Sequence, residues 1–163
     1  MNLVIVAHNI RSAENIGSLF RTADALGISR IILAGYSPDS NHSKVKKTAL
    51  GAEVAVASQK YADIKVAIAD LRTKGYQIIG LEIDPQSISL QDFQPESDKI
   101  ALLLGNEVDG IPSYLRDVCD KLIYIPMHGA KESLNVTISA AIASWHLIQN
   151  SKTKSQNQCG LRH

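Results

Sequence analysis

Five polar side chains stand where the ends of regular elements would gather them. Asn15 opens a helix and Arg21 lies two turns into it; Glu107 follows a strand in the run Gly105-Asn106-Glu107; Ser133 and Asn135 sit just ahead of the last helix. Ser and Asn at a helix start usually cap free backbone N–H groups, so the last two have a structural task whatever else they do. The common signatures of cofactor chemistry are missing. No GxGxxG follows the first strand, and Gly105…Gly110 lacks the Lys-Ser/Thr of a phosphate-binding loop. His8-Asn9-Ile10-Arg11-Ser12-Ala13-Glu14 is a poor flavin-phosphate loop, and no HxxE or DxD run suggests a metal. Cys119 and Cys159 lie far apart without a CxxC or His partner, which argues against structural zinc and a disulfide framework. The expected chemistry works without metal, flavin or dinucleotide.

Strands and helices must bring these positions together. Leu3 to Ala7 reads as a strand buried on both faces, as in a parallel sheet. The spacing predicts a helix from Asn15 to Leu26, with Ile16, Leu19, Phe20 and Ala23 on one face and Gly27 ending it. Further strands are expected at 30–34, 54–57, 77–82, 100–104 and 122–125, and further helical segments at 44–50, 61–74 and 113–119. The last helix, Val136 to Gln149, is apolar or small on nearly every side, which predicts burial all round. Full burial of a terminal helix in so short a chain points to a subunit interface or to threading through the fold. The alternation gives an α/β domain with a mostly parallel six-stranded sheet and helices on both faces. One domain over 1–150 is expected, followed by a polar, disordered tail over 151–163. In such sheets ligands collect beyond the carboxyl ends of strands. Those ends are His8 to Asn15, Leu81-Glu82, Gly105-Asn106-Glu107 and Pro126 to Ser133.

Bulk numbers set the frame. A length of 163 residues suits one domain with a real core. No apolar run reaches the ~20 residues of a membrane span, and no export signal opens the chain; the two cysteines without a disulfide framework point to a reducing cytoplasm. The net charge of +1 does not announce a nucleic-acid binder.

Three runs occur in order: Asn15-Ile16-Gly17-Ser18-Leu19-Phe20-Arg21-Thr22-Ala23, then Leu102-Leu103-Leu104-Gly105-Asn106-Glu107-Val108-Asp109-Gly110-Ile111-Pro112, then Ile125-Pro126-Met127 through Ser133-Leu134-Asn135-Val136. Together they closely resemble the three motifs of the SpoU/TrmH group of RNA ribose methyltransferases in the SPOUT superfamily, across Leu3 to Gln149. The resemblance implies a C-terminal trefoil knot, an obligate homodimer and an RNA substrate. It also implies S-adenosylmethionine as methyl donor, held at Leu81, Gly105, Ile125, Met127, Ser133 and Leu134. Arg21, Asn15, Glu107, Ser133 and Asn135 become its catalytic positions.

The family proposal makes the arginine a general base. Deprotonating an arginine at pH 7 spans about six pKa units, roughly 8 kcal/mol. A guanidinium that grips the adjacent phosphate and steadies the developing alkoxide costs far less. Apart from the family, Arg21 reads as a surface arginine pairing with Asp24. His8 and His128 lie near the same rim, where loop histidines are often incidental. Longer relatives carry an N-terminal RNA-binding extension, so Arg11, Lys44, Lys46 and Lys47 are the expected phosphate contacts on a dimer surface. Transfer and ribosomal RNA both stay open as substrates. A catalytically idle RNA-binding dimer and a base methyltransferase are the competing readings.

Overall fold

The computed structural model describes residues 1–159, with side chains through Ser151. Seven strands form one sheet: β1 (Asn2–His8), β2 (Arg30–Ala34), β3 (Ala57–Tyr61), β4 (Gln77–Leu81), β5 (Ile88–Ser89), β6 (Lys99–Leu104) and β7 (Lys121–Tyr124). Their order is β3-β2-β1-β6-β4-β7-β5, and every pairing is parallel. The helices are α1 (Ala13–Leu26), α2 (Ser43–Ala49), α3 (Ala52–Ala55), α4 (Ile64–Thr73), α5 (Ser113–Arg116) and α6 (Val136–Cys159).

Period-two geometry splits β1 between two cores. Leu3, Ile5 and Ala7 face a core shared with α1, α2 and α6, whereas Val4 and Val6 face a core shared with α4 and α5. Being covered on both faces is why β1, β2 and β6 read as unbroken apolar runs. Ile5 and Leu102, each wholly buried, contribute about 1.5–3 kcal/mol apiece by leaving water. Ser12 caps α1 by accepting the Asn15 N–H at 3.0 Å, and Gly27 closes it at φ 70°. α2 lies tight on α1: a Cβ on Gly17 would stand 2.7 Å from both Thr48 Cβ and the Val45 carbonyl oxygen.

Two expectations are corrected. The sheet has seven strands, not six, because Ile88–Ser89 adds a two-residue strand beside β7, too short to leave a pattern. The strand expected at 54–57 is helical at Val54 and Ala55, and only Ala57 of it is strand. Ala52 and Val56 are both buried and four residues apart, while Val54 between them is 85% exposed, so this apolar run has helical spacing. The strand follows at Ala57–Tyr61, an edge strand whose first four residues are exposed; with no buried face it carries no alternation. Within one chain, α6 is buried on one face. Ala140, Ala143, Ser144 and Leu147 are buried, but Ile138 (51%), Ile142 (40%) and Trp145 (55%) are exposed. The tail expected to be disordered begins as a continuation of α6 through Cys159; its last residues, 160–163, lie outside the described residues.

Candidate active site

The carboxyl ends of β4, β6 and β7 are neighbours in the sheet, and the loops leaving them enclose a cavity of about 280 Å³. Leu81, Leu104, Ile125, Met127 and Leu134 give it apolar walls; Ser133, Glu107 and Glu82 add polar groups. That volume is at the small end for ligand pockets, about 300–1,000 Å³. The wall after β6 is backbone laid on backbone. Asn106 and Gly110 exchange two backbone hydrogen bonds at 3.1 and 2.9 Å, and a Cβ on Gly105 would meet the Gly110 carbonyl carbon at 2.2 Å. Only glycine fits at 105. Gly110 has φ +66°, a left-handed conformation that L side chains rarely adopt.

Glu107 ties this wall to the start of α1. One carboxylate oxygen accepts the Arg11 N–H at 3.0 Å; the other accepts the Ser12 N–H at 3.2 Å and Asn15 Nδ2 at 3.0 Å. Burial would raise its pKa, but the hydrogen bonds from Arg11, Asn15 and Ser12 prevail and hold it below the ordinary carboxylate value. Asn15 Oδ1 in turn accepts Asn135 Nδ2 at 3.4 Å. Asn135 Oδ1 accepts the Thr137 N–H at 2.9 Å and caps α6. One chain of hydrogen bonds therefore runs from the β6 loop through α1 to the head of α6, joining all three sequence runs at one rim of the cavity.

All six positions expected around a donor, Leu81, Gly105, Ile125, Met127, Ser133 and Leu134, line this cavity, as does Glu107. Asn15 and Asn135 stand at its rim through Glu107. Arg21 does not join them. It is exposed in a separate groove between α1, the α2–α3 turn and the first turns of α6, lined also by Leu50, Thr137 and Ile138. Its guanidinium has no hydrogen bond or ion pair among the described residues, so the Asp24 pair does not form. Lys44, Lys46 and Lys47 are exposed on α2, and Lys44 Nζ lies 3.7 Å from Glu14 Oε1. Arg11 is exposed beside Tyr36, whose hydroxyl, followed by Asp109 and Glu107, raises its pKa against burial. His8 is buried and its pKa is lowered by burial, with Asp63 opposing; it lines no part of the cavity. His128 is exposed and also outside the cavity lining.

Two residues here escape motif reading. Tyr36, 55% exposed, follows β2 and accepts a short hydrogen bond from Asn106 Nδ2; inspecting the end of the second strand as well would have found it. Glu82 lines the cavity and holds the returning limb of the β6 loop by accepting the Ile111 N–H at 2.6 Å.

A sequence model described as the SpoU rRNA Methylase family matches residues 2–145. The chain belongs to this family. It is 28% identical to the 23S rRNA (guanosine(2553)-2'-O)-methyltransferase RlmP of Bacillus subtilis, over 88% of this chain and 57% of the relative. It is 32% identical to the 23S rRNA (guanosine-2'-O-)-methyltransferase RlmB of Neisseria meningitidis serogroup B, over 86% and 55%. Among solved structures, the AdoMet-bound rRNA methyltransferase from Sinorhizobium meliloti matches with a TM-score of 0.85 and 28% identity, covering 91% of this chain and 56% of that one. The SpoU chain described here thus spans little more than half the length of these relatives.

Proposed function

We propose that this SpoU-family chain is an RNA 2'-O-methyltransferase domain. It uses S-adenosylmethionine to methylate a ribose hydroxyl of transfer or ribosomal RNA. The observation that carries the reading is the chain of hydrogen bonds Glu107–Asn15–Asn135, which joins three separate motifs beside one apolar, glycine-floored cavity. The residues fit the donor. Leu81, Ile125, Met127 and Leu134 suit a flat purine, Gly105 leaves room for its approach, and Ser133 offers a hydroxyl. When bound, the donor supplies an activated methyl group on sulfur.

The protein's own work is alignment, since the methyl is already reactive. Glu107, kept ionised by three donors, fixes Asn15; Asn15 and Asn135 then hold the ribose side of the site. Arg21, with its fork unoccupied, grips the phosphate next to the target ribose and steadies the oxygen as its proton leaves. Because Arg21 does not line the donor cavity of its own chain, we place it against the cavity of a second copy. The exposed stripe Ile138, Ile142 and Trp145 on α6 supports a homodimer, and Ile138 shares a groove with Arg21. Arg11 and the α2 lysines Lys44, Lys46 and Lys47 extend the phosphate-binding surface. β7 lies between β4 and β5, which precede it in sequence, and this supports the trefoil knot. Among the described residues no helix is long and apolar enough to cross a membrane; we place the activity in the cytoplasm.

Mapping ribose methylation across total RNA, with and without the gene, tests the reading and names the substrate. One 2'-O-methyl site lost on deletion and restored by the wild-type chain is the expected result. An unchanged map overturns it and favours the idle RNA-binding dimer.

A further inference from the structure

The cavity beyond β4, β6 and β7 is unevenly charged. Glu82, Glu107 and Asp109 are among its walls, and no lysine, arginine or histidine is, among the described residues. Two of these carboxylates have compensation nearby: Glu107 accepts three donors, and Arg11 faces both Glu107 and Asp109. Glu82 has no such cation. It stands half-buried at the end of β4 without an ion pair among the described residues. Its charge is also fixed in place. Oε1 accepts the Ile83 N–H at 3.0 Å and Oε2 accepts the Ile111 N–H at 2.6 Å. Gly110 closes on it so tightly that a Cβ there would lie 2.3 Å from Oε2. A carboxylate can accept about four hydrogen bonds, so these two leave it able to take more.

We propose that Glu82 makes the cavity sense the charge on its ligand's sulfur, holding the sulfonium donor more tightly than the neutral thioether left after transfer. This rests on the methyl-donor reading above. On transfer, the methyl carbon bonds to the ribose oxygen, sulfur keeps the electron pair of the broken C–S bond, and the hydroxyl proton goes to solvent. Donor and product then differ by one methyl and one positive charge. Apolar walls scarcely separate them, whereas a fixed carboxylate in a partly dry wall does. The spent product is released and fresh donor retained.

Glu82 also braces the β6 loop, so the test must separate charge from scaffold. Glu82→Gln keeps a carbonyl oxygen for the Ile111 N–H and removes the charge, at the cost of the acceptor for the Ile83 N–H, a loss of scaffold that falls on both ligands alike. Calorimetric titration of the full chain with S-adenosylmethionine and with S-adenosylhomocysteine, at low and high salt, reads the preference directly. The wild type is expected to favour the donor about tenfold at low salt, about 1.4 kcal/mol, with the ratio shrinking as salt screens the charge. Glu82→Gln should bring the ratio to within about twofold, mainly by weakening the donor. Equal loss of both ligands would mean that Glu82 is only a brace, and equal wild-type affinities would also overturn the inference. If the wild type binds neither, the methyl-donor reading itself fails and this inference falls with it.

Discussion

Replacing Glu107 by Gln strikes the tie that joins the three motifs. The carboxylate accepts the Arg11 and Ser12 N–H groups and Asn15 Nδ2, at 3.0, 3.2 and 3.0 Å. A neutral amide brings one oxygen and one NH2 group, so at least one donor loses its acceptor and faces another donor. A hydrogen bond to a charged group contributes about 1.5–3 kcal/mol. Glu107 is exposed to solvent, which puts the loss toward the low end, about 1.5–2 kcal/mol. In a chain of 163 residues each kcal/mol moves Tm by about 2–4 °C, so a fall of about 3–8 °C is expected.

The pH dependence is the sharper test. The folded-state pKa of Glu107 is depressed below its ordinary 4.5. Its stabilisation is therefore fully present well above pH 4.5 and is lost as pH falls through the lower folded value. Wild type and variant should differ most at neutral pH and converge in acid. Thermal and urea unfolding of both, across that range and at one protein concentration, measures the gap. Equal stability at neutral pH, or a gap that stays constant into acid, would refute the reasoning.

Gly105→Ala should cost about 1–3 kcal/mol of stability, because its Cβ meets the Gly110 and Ile111 backbone, which no rotamer can relieve; urea unfolding shows this, with calorimetry reporting lost donor affinity. Arg21→Lys should leave stability within about 0.5 kcal/mol of wild type, since the guanidinium has no partner to lose. Its turnover should fall about a hundredfold with the loss of the fork, and wild-type turnover in a methylation assay would end that role. On the proposed homodimer, Ile142→Asp, in the middle of the exposed stripe on α6, should give a monomer in light scattering where the wild type gives a dimer; a wild-type monomer would refute that assembly.

Legibility followed burial. β1, β2 and β6 lie between two covered faces, so their apolar runs marked them in the sequence within a residue or two of their ends. β3 is polar and at an edge, and β5 is two residues long; neither buries enough to leave a pattern. The three motifs fixed the neighbourhood of Glu107, Asn15 and Asn135 because each motif sits at the end of an element whose direction the pattern reveals. Tyr36 was not legible in that way, and Glu82 was legible only as part of a strand end, without its role. Their importance comes from the return of the β6 loop onto β4 and from the closeness of β1 to β2, which are facts of three-dimensional neighbourhood. The apolar surplus of α6 was legible from composition, and one chain covers only one side of it.

The placement of β7 between β4 and β5 constrains assembly in time. β4 and β5 leave the ribosome first, yet their final positions are two strand spacings apart, about 9.6 Å. β6, which emerges next, does not fill that gap, because it pairs with β4 on its other edge. The pocket's β4 and β6 walls can therefore be in register before β7 exists; β7 completes the sheet, and the residues after it, from Ile125 to Ser139, are the last to close the cavity.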